Sequence, residues 1–243
     1  MPTTIVNLLS GPRNVSTALM YAFAQRGDTA VVDEPLYGHY LALTAAPQPG
    51  LADLLEVLET DGAKTIRETI LSPPPGREVY FVKNMAHHLI GLDDSWLEDP
   101  RIKNVFLIRD PEQMLPSLVN QIAEPTARDA AYAAQATWFN RLHDKGLDPV
   151  VLDSKELLTD PPTALASLCA SIGLDFDPAM LSWQPGPRPE DGAWAPHWYH
   201  NVHQSTGFAP FQEKTAPFPA HLRPLLDECR PHYEALRAHS ITV

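Results

Sequence analysis

Short apolar runs alternate along this chain with stretches whose apolar residues recur at helical spacing. Residues 4–9 (Thr-Ile-Val-Asn-Leu-Leu) form an apolar run closed by Ser10-Gly11-Pro12, which reads as a buried strand leading into a tight loop. Residues 17–25 carry Leu19, Met20 and Phe23 on one helical face, with Asn14 or Ser16 available as a cap and Gly27 as a stop. Residues 29–32 read as a second strand that runs into Asp33-Glu34-Pro35. Helical spacing follows over 51–69, broken near Asp61-Gly62, and Ser72-Pro73-Pro74-Pro75-Gly76 can only be a loop. Residues 79–83 and 104–108 read as the third and fourth strands. Asp110-Pro111 then caps and starts a helix, because proline suits the first helical position. A helix over 127–145, a strand over 149–152, a helix from Asp160-Pro161 to Gly173 and a last helix over 220–238 complete the pattern.

Strands alternating with helices predict a three-layer α/β/α fold with a mainly parallel sheet of about five strands. In such sheets the ligand sits beyond the carboxyl ends of the strands. Arg13 follows the first strand, Glu34 the second, Lys83, His87 and His88 the third, and Arg109 the fourth. The polar residues worth attention therefore fall where this fold places a ligand. Residues 1–175 read as an α/β cofactor-binding core. Residues 176–243 read as proline-rich loops with a C-terminal helix, the whole of 1–243 forming a single domain. Ten of the 25 prolines lie between Pro178 and Pro231, which marks that last quarter as loop-rich.

Composition narrows the function. There are 18 Lys and Arg against 30 Asp and Glu, a net charge of −12, which disfavours tracking along nucleic-acid phosphates. It leaves room for a local positive pocket that takes a small anion. Cys169 and Cys229 supply neither a disulfide framework nor metal-ligand spacing, as expected of reduced thiols in a cytoplasmic protein. No segment approaches the roughly 18–20 apolar residues of a membrane span. The apolar start lacks a basic flank and is interrupted at Pro12-Arg13, so it reads as a strand and not as a signal peptide.

Two motifs carry the chemistry. Pro12-Arg13-Asn14-Val15-Ser16-Thr17 lies between a strand and a helix, where backbone N–H groups and the helix dipole face an anion. It departs from G-x-x-x-x-G-K-[ST] in lacking the lysine and in carrying Val15 where the second glycine stands. The second motif is Arg109, at the end of the fourth strand, with Ser117 eight residues on. Taken together they resemble the two cofactor motifs of the sulfotransferase family, most of all its bacterial, P-loop-like members. That family uses 3′-phosphoadenosine 5′-phosphosulfate (PAPS). The resemblance implies that Pro12, Arg13, Asn14, Val15, Ser16 and Thr17 hold the 5′-phosphosulfate and that Arg109 and Ser117 hold the 3′-phosphate. Val15 in place of glycine and arginine in place of lysine are this chain's departures. Ser205-Thr206-Gly207 resembles, more loosely, a C-terminal loop that closes over the nucleotide. The arginine-lysine-glycine form of that loop is missing, with Arg188 a candidate for the absent charge.

For catalysis the resemblance implies in-line transfer of a sulfuryl group to a hydroxyl or amine of a small-molecule acceptor, with no metal and with Arg13 stabilising charge. Lys83 and the pair His87 and His88 follow the third strand as a lysine and a base histidine do in cytosolic members. Glu34 matches the glutamate base of some bacterial ones. Pro35 is expected to hold Glu34 extended. Glu34 and the two histidines stand level as bases, and pH should separate them: a glutamate near 4.3 would work in mild acid, a histidine near 6.5 would not. His197, His200 and His203 match no known metal-ligand framework. Trp183, Trp194, Trp198 and Phe208 could line an acceptor pocket or belong to the core. A P-loop kinase or hydrolase and a non-catalytic nucleotide-binding descendant are the alternative functions. A homodimer is left open; nucleic acid and membrane are not expected partners.

Overall fold

A computed structural model describes residues 2–214 and 216–243. Its centre is a five-stranded parallel sheet of β1 (Thr4–Ser10), β2 (Thr29–Asp33), β3 (Val79–Met85), β4 (Ile102–Ile108) and β5 (Val150–Asp153), in the order β2-β3-β1-β4-β5. All five predicted strands are present. β1 is central because its run is apolar on both faces, as a parallel sheet covered by helices requires. Ile5 and Leu9 face one layer, with helices Pro111–Leu118, Tyr132–Asp144 and Arg223–Arg237. Val6 and Leu8 face the other, with helices Ser16–Phe23 and Pro161–Ser171. The period-two alternation of β1 thus separates two cores on either side of one sheet.

Three buried asparagines cross the middle of that sheet. Asn84 on β3 donates to Asn7 on β1 at 2.9 Å, and Asn7 donates to Asn104 on β4 at 2.9 Å. The amides pass hydrogen bonds along the sheet, the last from Asn104 to the Leu97 carbonyl at 2.9 Å, which offsets most of the cost of burying them.

Several helices differ from expectation. The helix after β1 starts at Val15, not at a side-chain cap: Val15 is left-handed (φ 61°), and no side chain caps the first turn. Asn14 instead donates to the Leu107 carbonyl at 3.0 Å. The stretch predicted over 127–145 is interrupted at Ala131 (φ 66°), which separates Ala127–Ala130 from Tyr132–Asp144. Helix Tyr37–Thr44 is not among the elements the sequence pattern predicts. With Leu51–Val57 and Trp194, Ala195 and Tyr199 it builds a small aromatic core beside the strand ends. Gly38 near its start and two tyrosines, Tyr37 and Tyr40, weaken its helical signal, and Pro35 just before it reads as a turn. Among the described residues no helix is long and apolar enough to cross a membrane.

Candidate active site

The loop after β1 is fixed from below. Gly11 is closely packed, since a Cβ there would lie 3.1 Å from the Ala130 carbonyl oxygen, tighter than an ordinary contact. Gln135, fully buried, donates to the carbonyls of Leu9 and Leu107 at 3.1 and 2.9 Å, so the ends of β1 and β4 share one amide. Above this, Arg13 (φ 58°) and Val15 both adopt left-handed backbone, which costs a β-branched valine more than most residues. The glycine that is missing from the sequence motif is thus missing at a position whose backbone favours glycine.

Arg13, Arg109 and Ser117 come together. Arg13 Nε donates to Ser117 Oγ at 3.2 Å, and Arg109 Nη1 donates to the Arg13 carbonyl at 2.8 Å. Tyr132 fixes the second arginine by donating to its carbonyl at 2.7 Å. Burial lowers the pKa of both guanidinium groups, and Arg109 lowers that of Arg13 further. Among the described residues neither forms an ion pair with a carboxylate. Lys214, an exposed residue, feels the same pair: burial lowers its pKa first, and Arg109 and Arg13 add to that. Arg13 and Arg109 are part-buried cations that, among the described residues, lack a counter-ion, which is costly unless an anion joins them. The donor set fits a polyanion. Sequence reasoning missed Lys214 because no motif surrounds it. Arg188, the candidate for that charge, lies elsewhere, over the Tyr21 ring at 4.4 Å with a donor on the Gln184 carbonyl.

Glu34 and Lys83 occupy the neighbouring strand ends. Lys83 is fully buried and its ammonium donates to Asp33 Oδ1 (2.8 Å), Glu34 Oε1 (2.6 Å) and the Tyr199 hydroxyl (2.7 Å). Tyr199 in turn donates to Asp33 Oδ2 at 2.7 Å. Burial works against the lysine's charge, but Asp33 and Glu34 outweigh it and hold its pKa well above the ordinary value. Burial pushes the Glu34 carboxyl up to about 7, with Lys83 opposing and Asp33 assisting. Glu34 is not extended as expected: its φ is 38°. Its backbone N–H donates to the Lys83 carbonyl at 2.7 Å, and its own carbonyl accepts from Tyr37. The start of helix Tyr37–Thr44 thus turns the chain at Glu34, against the local preference of a residue before proline.

The two histidines are neutral. Burial lowers His87 to about 4 and takes His88 well below its ordinary value. His88 is stacked against Tyr37 and Tyr40 with ring centroids 4.9 and 4.8 Å away, and its Nδ1 stands 3.9 Å from Glu34 Oε2. A histidine so placed donates or accepts hydrogen bonds but does not carry charge near neutrality.

One cavity of about 500 Å³ joins these groups. Pro12 to Thr17, Arg109 and Ser117 line one end, and Glu34, Lys83, His87 and His88 the other. Trp194, Trp198 and Phe208 line it as well, whereas Trp183 lies in the core against Tyr21 and Phe208. Ser205 and Gly207 border the cavity but Thr206 does not; its carbonyl accepts from the Trp183 backbone at 3.0 Å. Among the described residues no group of three or more His, Cys, Asp or Glu could hold a metal ion. His203 instead meets Asp191 at 2.8 Å.

Residues 4–240 match the family model described as "Sulfotransferase domain". The chain belongs to the sulfotransferase-domain family. Its backbone is similar to a sulfotransferase from Alicyclobacillus acidocaldarius (TM-score 0.54, 15% identity, 100% of this chain and 98% of that one). It is also similar to the sulfotransferase domain of the Synechococcus PCC 7002 olefin synthase (TM-score 0.51, 19% identity, 93% and 94%). At these identities the likeness concerns the fold. In sequence the chain is 38% identical over 237 residues to the Arabidopsis thaliana protein "Branched-chain-amino-acid aminotransferase-like protein 2" and 37% identical over 235 residues to its paralogue "protein 1". Each match takes in 97% of this chain but only 42% of the relative. The sulfotransferase-domain chain therefore spans less than half the length of these curated relatives.

Proposed function

We propose that this chain transfers a sulfuryl group from PAPS to a small-molecule acceptor, working as one sulfotransferase-like unit. The observation that carries the reading is the meeting of Arg13 and Ser117, 104 residues apart, with Arg109 reaching the Arg13 carbonyl from the end of β4 and, among the described residues, no carboxylate paired to either guanidinium. PAPS, when bound, supplies an activated sulfuryl group at the end of its 5′-phosphate, with a second phosphate on the ribose 3′ position. The Arg13 loop, with the Ser16 and Thr17 hydroxyls and the free N–H groups of the first helical turn, would hold the 5′ anion. Arg109 and Ser117 would hold the 3′-phosphate, with Lys214 adding the third positive charge. Arginine stays protonated at every working pH, so Arg13 stabilises developing charge and transfers no proton.

The acceptor proton goes to Glu34. Its Oε1 is held by Lys83, which leaves Oε2 to face the acceptor. A carboxyl near 7 is well matched to proton transfer at neutral pH. His87 and His88 are too weakly basic in their buried sites to compete, and His88 serves better as a neutral partner for the acceptor oxygen. Lys83 keeps Glu34 in place and offsets its charge.

The name of the Arabidopsis relatives suggests a second chemistry, in which a lysine forms an imine with a carbonyl cofactor. Imine formation needs a neutral amine. Lys83, the lysine of this cavity, is held charged with all three protons donated, so the site does not support that reading. A P-loop kinase reading suffers from Ser16 standing where the lysine after the second glycine is expected.

Isothermal titration separates the readings. Adenosine 3′,5′-bisphosphate should bind to a sulfotransferase site and ATP with magnesium should not. The reverse pattern would favour a kinase or hydrolase, and binding of neither a non-catalytic protein.

A further inference from the structure

The cavity wall around Tyr40 and His87 has the opposite electrostatic character to the arginines. Asp129 and Glu34 both line the cavity. Asp129 Oδ2 accepts from the Thr126 backbone N–H and hydroxyl at 2.9 and 2.6 Å, and among the described residues Oδ1 takes no hydrogen bond. After burial itself, Asp129 is the leading influence on both the Tyr40 hydroxyl and the His87 ring. Arg128 opposes it at both groups, but its side chain is exposed and does not border the cavity. Among the described residues the one other cation lining the cavity there, Lys83, is shared between Asp33 and Glu34 and cannot neutralise both. Glu34 and Asp129 therefore leave this wall negative.

Unpartnered polar atoms collect at the same place. The Tyr40 hydroxyl, Gln48 Oε1 and the Nδ1 atoms of His87 and His88 are buried and, among the described residues, lack a hydrogen-bond partner, and all four residues line the cavity. Tyr40 is 1% exposed and His88 2%. Four such groups in one small volume are costly unless a ligand serves them. A carboxamide oxygen can only accept, so Gln48 calls for an N–H or O–H donor or a cation. The walls between these groups are aromatic, with Tyr37, Trp194 and Trp198 offering ring faces or edges. Carboxylates, an orphan carbonyl oxygen and aromatic rings together suit an ammonium group.

We propose that the acceptor is a cation: a small alcohol or phenol whose ammonium group docks against Asp129, Gln48 and the aromatic walls while its hydroxyl reaches Glu34. This rests on the sulfotransferase reading above and adds the acceptor class. The new bond is between the acceptor oxygen and sulfur. The sulfur–oxygen bond to the donor's phosphate breaks, its electron pair leaving on the phosphate oxygen. The hydroxyl proton passes to Glu34 Oε2, and the ammonium keeps all its bonds. A positive charge arriving beside Glu34 also favours its ionised form, so the base is readied as the acceptor enters.

The test is titration calorimetry on the full chain saturated with adenosine 3′,5′-bisphosphate. Two matched pairs are compared: choline against its neutral isostere 3,3-dimethylbutan-1-ol, and tyramine against 4-ethylphenol. The expected result is at least one pair in which the cation binds about tenfold more tightly than its isostere. In Asp129→Asn the ratio within that pair should fall toward one. Isosteres that bind as tightly as the cations in both pairs would overturn the proposal, and so would a cation preference that survives Asp129→Asn. Because the comparison is made first in the unaltered protein, it does not depend on that variant folding. Failure of adenosine 3′,5′-bisphosphate to bind would take down the sulfotransferase reading and this inference with it. Binding of the nucleotide without binding of either cation would overturn the acceptor class alone.

Discussion

Lys83 Nζ lies 2.6 Å from Glu34 Oε1, both side chains being more than nine-tenths buried. The pair comes from adjacent strands: Lys83 is opposite Asp33 in the parallel register of β2 and β3, and Glu34 is the next residue. One ammonium thus stands between two carboxylates, so the proposed base is held by a partner that cannot neutralise both. Burial comes first in raising the Glu34 pKa and Asp33 adds to it, so the carboxyl stays above its ordinary value despite its contact with the lysine.

Removing the lysine should be expensive. Lys83→Met leaves Asp33 and Glu34 buried side by side without a counter-charge, and breaking a buried pair in this way costs about 3–5 kcal/mol. The expected result is a fall of that size in unfolding free energy from denaturant titration, with Glu34→Gln in the same background recovering part of it. A loss below about 1 kcal/mol would show that the network is not a folding element.

The pH profile should distinguish the base. On unperturbed values a glutamate would stay active in mild acid and a histidine would not, but burial reverses that order, with Glu34 near 7 and His87 near 4. Turnover at saturating PAPS should therefore fall as pH drops through about 7, and Glu34→Gln should lose about 10²- to 10⁴-fold while still binding adenosine 3′,5′-bisphosphate. Activity that persists to pH 5 would point to His87. Stability has the opposite slope. The folded protein holds Glu34's proton more tightly than the unfolded chain does, so this group's contribution is full below the ordinary value of 4.5 and is lost as pH rises through about 7. Glu34→Gln should flatten the fall in melting temperature across that window.

Much of the placement in this site is legible in the chain. Arg13, Glu34, Lys83 and Arg109 read as strand-end residues because strong apolar runs fix the strands, and each strand fixes where its outgoing loop begins. Lys214 is not legible, since it sits in a loop whose path is set by distant contacts: Phe211 N–H on the Leu158 carbonyl at 3.0 Å and Lys214 N–H on Gln113 Oε1 at 3.0 Å. The conformation of Glu34 escapes sequence reasoning for a related reason. Proline's local preference for an extended neighbour is outweighed by the turn that delivers helix Tyr37–Thr44 to the aromatic core.

Val15 offers a test of the loop that avoids the chemistry. In most positions alanine is more stabilising than glycine, but at φ 61° the Cβ carries a cost that glycine escapes. Val15→Gly should therefore be more stable than Val15→Ala by about 1 kcal/mol, read from paired denaturant midpoints. Alanine as the more stable of the two would mean that the left-handed backbone at Val15 carries no strain.

The cation group makes the sharpest claim about the nucleotide. If Arg109 reads the 3′-phosphate, the energy it contributes is absent for a ligand without that group. Charge-assisted hydrogen bonds are worth about 1.5–3 kcal/mol, so Arg109→Ala should weaken adenosine 3′,5′-bisphosphate by about 10- to 100-fold and adenosine 5′-phosphate far less. Burial lowers the Lys214 pKa first and Arg109 and Arg13 add to it, and an anion bound at the arginines would oppose their share. Lys214→Gln should therefore weaken the bisphosphate about fivefold, by less than Arg109→Ala does, because its flexible ammonium makes no fixed fork with a phosphate. Each Kd is measured by titration calorimetry at two salt concentrations. Raising salt should weaken the parent protein's binding more than that of either variant, since each variant has lost a charge that salt would screen. Equal losses for the two nucleotides in Arg109→Ala would show that this arginine does not read the 3′ position. Unchanged affinity in Lys214→Gln would remove the lysine from the site.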